Sequence, residues 1–153
     1  MSSAPGTNSR QTALAPADRL AIAELIARYA WASDERDAAA LGNCFEEDGT
    51  LEVQDAGGKP PTTVQGRAKI VSWVRARHAA EFARGDIRRH ISSALAIDAE
   101  SDDRAVARSY VHVLVSDGNG LRVAAFGTCI DEVARHGGEW LLARRRVKID
   151  ARA

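Results

Sequence analysis

RAVARSYVHVLVSDGNGLRVAAFGTCIDEVARHGGEWLLARRRVKID, residues 104–150, is the stretch whose reading decides the fold. Apolar and polar residues alternate along it with a period near two, and the pattern breaks at Gly118-Asn119-Gly120 and Gly137-Gly138, which suit hairpin turns. The same period starts upstream near Arg88 and passes another turn at Ser101-Asp102-Asp103. This predicts strands at about 88–99, 104–117, 121–136 and 139–150. Connections this short cannot hold the dozen or so residues of a parallel crossover, so the sheet is expected to be antiparallel and strongly bent.

Upstream of Gly85-Asp86 the period is near 3.6. Leu20, Ile22, Leu25, Ile26 and Tyr29 predict a helix from Pro16 to Ser33 or Asp34, with Pro16 and Asp18 suited to its first turn. Asp37 can cap a short second helix carrying Leu41, Cys44 and Phe45 and ended by Asp48-Gly49. Thr50 to Gln54 alternates like a strand, and Asp55 to Pro61 is rich in turn residues. Gly66-Arg67 opens a third helix with Ile70, Val71, Val74 and Phe82. The expectation is an α+β domain over residues 16–150: three N-terminal helices cover one face of a bent antiparallel sheet and leave a pocket between. Residues 1–15, rich in small polar residues, read as a flexible arm.

The chain has 153 residues, with 21 basic and 21 acidic side chains, so it lacks the long-range positive field of a nucleic-acid or acidic-membrane binder. The local run Arg144, Arg145, Arg146, Lys148 reads as solvated or interface charge. In a strand, Arg145 points away from the other three. Cys44 and Cys129 read as small core residues rather than a disulfide framework or zinc site. No apolar run reaches the roughly 18 residues of a membrane span, and residues 1–10 lack a secretory apolar segment, so a cytoplasmic location is expected. One sheet face carries Val106, Leu114, Phe126 and Ile130 and needs more cover than three helices provide, which predicts a homodimer or homotrimer.

His90 opens a strand after a polar turn and has the small residues Ser92 and Ala94 on its side. Imidazole changes protonation near neutral pH, so His90 is a candidate general base; a strand-end histidine bonded to a carbonyl is the other reading. Asp34 ends the first helix and either caps the second or holds an imidazole in one tautomer. Tyr29 lies on the apolar stripe of the first helix, with its hydroxyl able to reach a pocket. Tyr110 and His112 share one face of a central strand, facing either the pocket or the opposite side. His78 and His136 read as exposed. The histidines show no metal-site spacing, and no phosphate loop, nucleophile elbow or dinucleotide fingerprint occurs, so neither metal nor cofactor is expected.

The segment Asp18-Arg19-Leu20-Ala21-Ile22-Ala23-Glu24-Leu25-Ile26-Ala27-Arg28-Tyr29, followed by Asp34, Asp37, Phe45, Asp48-Gly49, Gly66-Arg67, Arg89-His90 and Gly138-Glu139-Trp140, resembles the SnoaL-like branch of the nuclear-transport-factor-2-like superfamily over about residues 16–150. The resemblance implies a cone-shaped fold. It leaves the activity open among dehydratases, isomerases, polyketide cyclases, dehydrochlorinases, dioxygenase small subunits and proteins without catalysis. Scytalone dehydratase, bile-acid 7α-dehydratase and hexachlorocyclohexane dehydrochlorinase use an Asp–His pair at positions matching Asp34 and His90. The bile-acid enzyme has a tyrosine matching Tyr29 and a last-strand basic residue corresponding to Lys148. The second pocket histidine of scytalone dehydratase falls near Val115 or Ser116, with His112 the nearest histidine.

Trp31, Tyr110, His112 and Lys148 are therefore the candidate substrate-binding residues beside His90, Asp34 and Tyr29. The expected function is a cofactor-independent lyase or isomerase, dehydratase-like, acting on a hydrophobic cyclic small molecule such as a steroid or polyketide. The alternatives are a non-catalytic binding module and the small subunit of a ring-hydroxylating dioxygenase.

Overall fold

The computed structural model describes residues 13–82 and 85–153. Most of the expected amino-terminal arm, and the side chain of Phe82, lie outside the described residues. Leu14, counted with the arm on sequence grounds, is only 6% exposed and packs into the core.

The first helix, α1 (Pro16–Asp34), has proline in its first turn and buries Ile22, Leu25, Ile26 and Ala32 along one stripe. Asp18 fastens its start to the far end of the sheet by accepting from Trp140 Nε1 at 2.8 Å and Arg135 at 3.1 Å. The second helix, α2 (Ala38–Gly42), is capped by Asp37, whose Oδ1 accepts from Ala40 N at 2.9 Å. It stops sooner than its apolar spacing suggests. Cys44 lies in the turn that follows, and Phe45 already opens a strand, β1 (Phe45–Gln54). Phe45 is fully buried either way, which is why periodicity alone could not separate helix from strand here.

After β1 come a short strand, β2 (Thr62–Gln65), which the turn-rich composition concealed, and the third helix, α3 (Arg67–Phe82). The remaining strands are β3 (Ile87–Ser101), β4 (Arg104–Asp117), β5 (Gly120–His136) and β6 (Glu139–Arg152), close to their expected limits.

The six-stranded sheet has the order β2-β1-β6-β5-β4-β3. Pairings β3–β4, β4–β5 and β5–β6 are antiparallel, as turn-length connections require, but β1 pairs with β6 in parallel. The sheet is thus mixed, which corrects the expectation of a wholly antiparallel one. The parallel pair is possible because α3 and four strands, far more than a dozen residues, separate β1 from β6. The helices are likewise not all N-terminal to the sheet, since α3 follows β1 and β2.

Register shifts mark irregularities in β3 between Ser93 and Ala96, beside Ala94 at φ 50°, and in β5–β6 at Phe126/Gly127. At Gly127 the strands approach so closely that a Cβ would sit 2.0 Å from the Lys148 carbonyl oxygen.

α1 packs on β3 and β6, and α3 packs on α2 and β1. The main core gathers Ile22, Leu25, Leu41, Phe45, Ile70 and Trp140, and a smaller cluster gathers Val113, Val115, Ala125 and Ile149. Burying each large side chain contributes about 1.5–3 kcal/mol. No helix among the described residues is long and apolar enough to cross a membrane.

Candidate active site

A cavity of about 120 Å³ lies between the helices and the inner sheet face, lined by residues of both apolar clusters, including Leu41, Leu51, Val74, Val113 and Ile149. Its polar groups come from α1 (Tyr29, Ser33), α3 (Arg77, His78, Glu81), β3 (Arg88, His90) and β6 (Arg145, Arg152).

Asp34 is the last residue of α1, and its side chain is 7% exposed. One carboxylate oxygen lies 2.6 Å from His90 Nδ1, and both oxygens accept from the His90 backbone N–H at 3.1 Å. Asp34 therefore caps the start of β3 instead of α2, a task Asp37 performs. With Nδ1–H given to the carboxylate, the imidazole presents Nε2 as its basic nitrogen on a side chain 28% exposed that lines the cavity.

Tyr29 also lines the cavity and meets Phe45 edge-on with ring centroids 6.0 Å apart. Burial pushes its hydroxyl up to about 12, although Arg145 pulls the other way, so it stays a hydrogen-bond donor at neutral pH.

The residue that sequence reasoning missed is Arg145. Its guanidinium stands 4.0 Å over the Tyr29 ring, pairs with Asp131 at 3.1 Å and donates to Cys129 Sγ at 3.4 Å, with the side chain only 3% exposed. Burial works against its charge, but Asp131, Cys129 and Tyr29 outweigh that and hold it more firmly protonated than usual. Burial also raises Asp131, opposed by Arg145. A guanidinium keeps its proton at any physiological pH, so Arg145 stays cationic.

Lys148, the expected last-strand cation, is exposed on the other face and pairs with Asp150 at 3.2 Å. Arg144 and Arg146 share that outer face and pair with Glu52 and Glu132 at 2.6 and 2.9 Å. The signal for Arg145 was its alternation with Val147 and Ile149, the apolar side of β6.

His78 is a second correction: expected to be exposed, it is buried at 8% and lines the cavity. Ile70, Val74 and His78 recur every four residues on one face of α3, which carries the histidine inward. Burial lowers its pKa, opposed by the Glu81 charge and a hydrogen bond with the Arg36 backbone, while the Arg36 and His90 charges push with burial.

Tyr110 and His112 alternate with the inward Val111 and Val113, and so lie on the outer face. Trp31, 63% exposed, borders a groove with Arg28, Glu35 and Glu139. None of Trp31, Tyr110, His112 and Lys148 lines the cavity that holds His90 and Tyr29. His136 is exposed and paired with Glu46. Among the described residues, no three His, Cys, Asp or Glu side chains converge as a metal site would require.

Residues 15–146 match the SnoaL-like domain. Three solved structures are similar over most of the chain. An NTF2-like protein with a cystatin-like fold from Novosphingobium aromaticivorans is 29% identical, with 87% of this chain and 82% of that one covered and a TM-score of 0.73. A Catenulispora acidiphila protein in complex with S-DNPA is 28% identical, with 88% and 95% covered and a TM-score of 0.71. A Novosphingobium aromaticivorans chain described as the β subunit of an aromatic-ring-hydroxylating dioxygenase shares the fold at 18% identity, with 90% and 92% covered and a TM-score of 0.73. Among proteins of curated function, none matches the chain.

Proposed function

The chain belongs to the SnoaL-like domain family, and from that premise we propose that it is a cofactor-independent lyase or isomerase, dehydratase-like, acting on a hydrophobic cyclic small molecule such as a steroid or polyketide. The observation that carries this reading is the 2.6 Å contact between His90 Nδ1 and Asp34 at the wall of the cavity.

His90 Nε2 abstracts a proton beside an electron-withdrawing group, and Asp34 orients the ring and stabilises the imidazolium that forms. Negative charge then grows on a substrate oxygen. Tyr29 donates to that oxygen or to the leaving group, and the buried Arg145 supplies a fixed positive field from the cavity floor. General acid–base help of this kind supplies about 10²- to 10⁴-fold, and positioning in a dry site supplies the rest.

A dioxygenase small subunit shares this fold, but such a role leaves the Asp34–His90 contact without a task. We also propose that the outer sheet face joins copies of the chain into a homodimer or homotrimer, because it exposes Ile91, Tyr110, Val123 and Phe126 together. The test is turnover of a panel of cyclic hydroxyketones, followed by loss of water or double-bond migration, in the parent protein and His90→Ala. Equal rates in the two would end the catalytic reading.

A further inference from the structure

The cavity changes character between floor and rim. At the floor, Arg145 pairs with Asp131 at 3.1 Å. Farther out, Arg88 stands between Glu81 at 3.8 Å and Asp86 at 3.4 Å. At the rim the count of charges no longer closes. Arg152, 41% exposed at its side chain, binds Asp55 at 2.5 Å, whereas the exposed Arg77 has no carboxylate within 4.0 Å among the described residues. Arg77 instead lies over the Trp73 ring, 4.8 Å from its centroid, and Arg77, Trp73 and Arg152 all line the cavity. The Asp55 carboxyl is held low chiefly by the Arg152 hydrogen bond, and Arg77 adds to this from farther away. Two guanidinium groups thus share one counter-charge beside an aromatic plate. The wall inward of them is apolar, with Val111, Val113 and Ile149.

We propose that this rim is an anion-selecting subsite: Arg77 and Arg152 take the carboxylate of a ring-bearing acid whose apolar body runs along Trp73 toward His90. A planar guanidinium fork matches a carboxylate in two-point geometry, and Trp73 keeps the Arg77 fork in a fixed plane. The apolar end of the ligand gains by leaving water, while its charged end stays at the half-wet mouth where desolvation costs little. The subsite specifies a substrate class for the cavity that the preceding reading treats as catalytic, and rests on that cavity being a substrate pocket. It does not depend on proton transfer at His90.

The test is binding, with 2-naphthoate and 2-naphthol as probes of matched ring and different charge, followed by their fluorescence. Exposed ion pairs are individually weak, so the parent protein should prefer naphthoate by about fivefold to tenfold, and the preference should shrink between about 10 mM and about 300 mM salt. Arg77→Gln combined with Arg152→Gln should abolish the preference and leave naphthol binding unchanged. Both substitutions lie at the exposed rim, and an unaltered thermal unfolding profile verifies the fold. Naphthoate binding no tighter than naphthol, or a preference that survives in the double variant, would overturn the subsite. So would loss of the preference in His90→Ala, because the anion would then sit on the imidazole, or failure of both probes to bind. Because the readout is affinity alone, loss of the anion preference leaves the kinetic test of His90 to be judged separately.

Discussion

The Arg145 guanidinium lies 4.0 Å from the centre of the Tyr29 ring while Asp131 holds it from the sheet side at 3.1 Å. One buried cation therefore binds the first helix to β5 and β6 and sets the charge of the cavity floor. Its two duties are separable by mutation.

Asp131→Asn leaves the guanidinium buried without its counter-ion, which typically costs about 3–5 kcal/mol. Replacing the pair together, Asp131→Leu with Arg145→Met, should recover most of that loss, because a well-packed apolar pair of similar size matches a buried ion pair in stability. Denaturant unfolding measures both. If the proposed function holds, the double variant regains stability but not turnover, since the positive field is gone.

For catalysis, His90→Ala should lower kcat by about 10²-fold or more. Asp34→Asn should lower it too, because a neutral amide stabilises imidazolium poorly, and it also perturbs the carboxylate that holds the His90 backbone N–H. Steady-state rates of folded variants decide the matter. Parent-like turnover in both would mark the pair as structural.

His78 gives a pH dependence of known sign. Burial lowers its pKa in the folded chain, so the unfolded chain binds the proton more readily. Stability is then fully present above the unfolded value of about 6.5 and falls as pH drops through that value toward the depressed folded one. In His78→Leu the loss of stability between about pH 7 and pH 5 should be shallower than in the parent. Urea midpoints across that interval test it, and an unchanged slope would contradict the assignment.

Self-association through the outer sheet face predicts that Phe126→Asp shifts the protein to monomer. Phe126 is 47% exposed and lies opposite His112 across β4–β5, so the change sets a charge amid the apolar face without touching the cavity. A stable interface needs about 1,000 Å² or more, which a sheet face of this length can supply. Sedimentation at micromolar concentration that finds only monomer in the parent would refute the association.

The four C-terminal strands were legible because their turns are short and their alternation long, two local signals that agree. β2 was not, since four residues between Pro61 and Gly66 are too few to show a period. The partner of β1 was hidden for another reason: parallel pairing with β6 is a long-range choice that no local pattern encodes. Within the site, Asp34, His90 and Tyr29 could be picked out by residue type and motif order. Lys148 came from the resemblance alone, and β6 turns it outward while Arg145 lines the cavity. The strand pairing shifts between Glu132 and Val133, so Trp140 and Leu142 face inward at even positions and Arg145, Val147 and Ile149 at odd ones. His78 was misjudged because its arginine neighbours suggested a solvated face, whereas its four-residue spacing from Val74 marks the buried one.

The strand order also dictates a sequence of events in time. β6, the last strand of the chain, sits between β1 and β5, and its Arg144 reaches Glu52 across 92 positions. During synthesis, β1 emerges early and waits, with one edge bare, until β6 has been made. A chain ending at Gly137-Gly138 would contain all three helices and five strands yet have no surface on which β1 and β5 could meet. We expect it to collapse without protecting its β1 amides from hydrogen exchange, and to acquire that protection when residues 139–153 are added as a peptide. The rate of folding is then set by closing one long loop, and lengthening the turn between β5 and β6 should slow it far less than removing apolar contacts from β6.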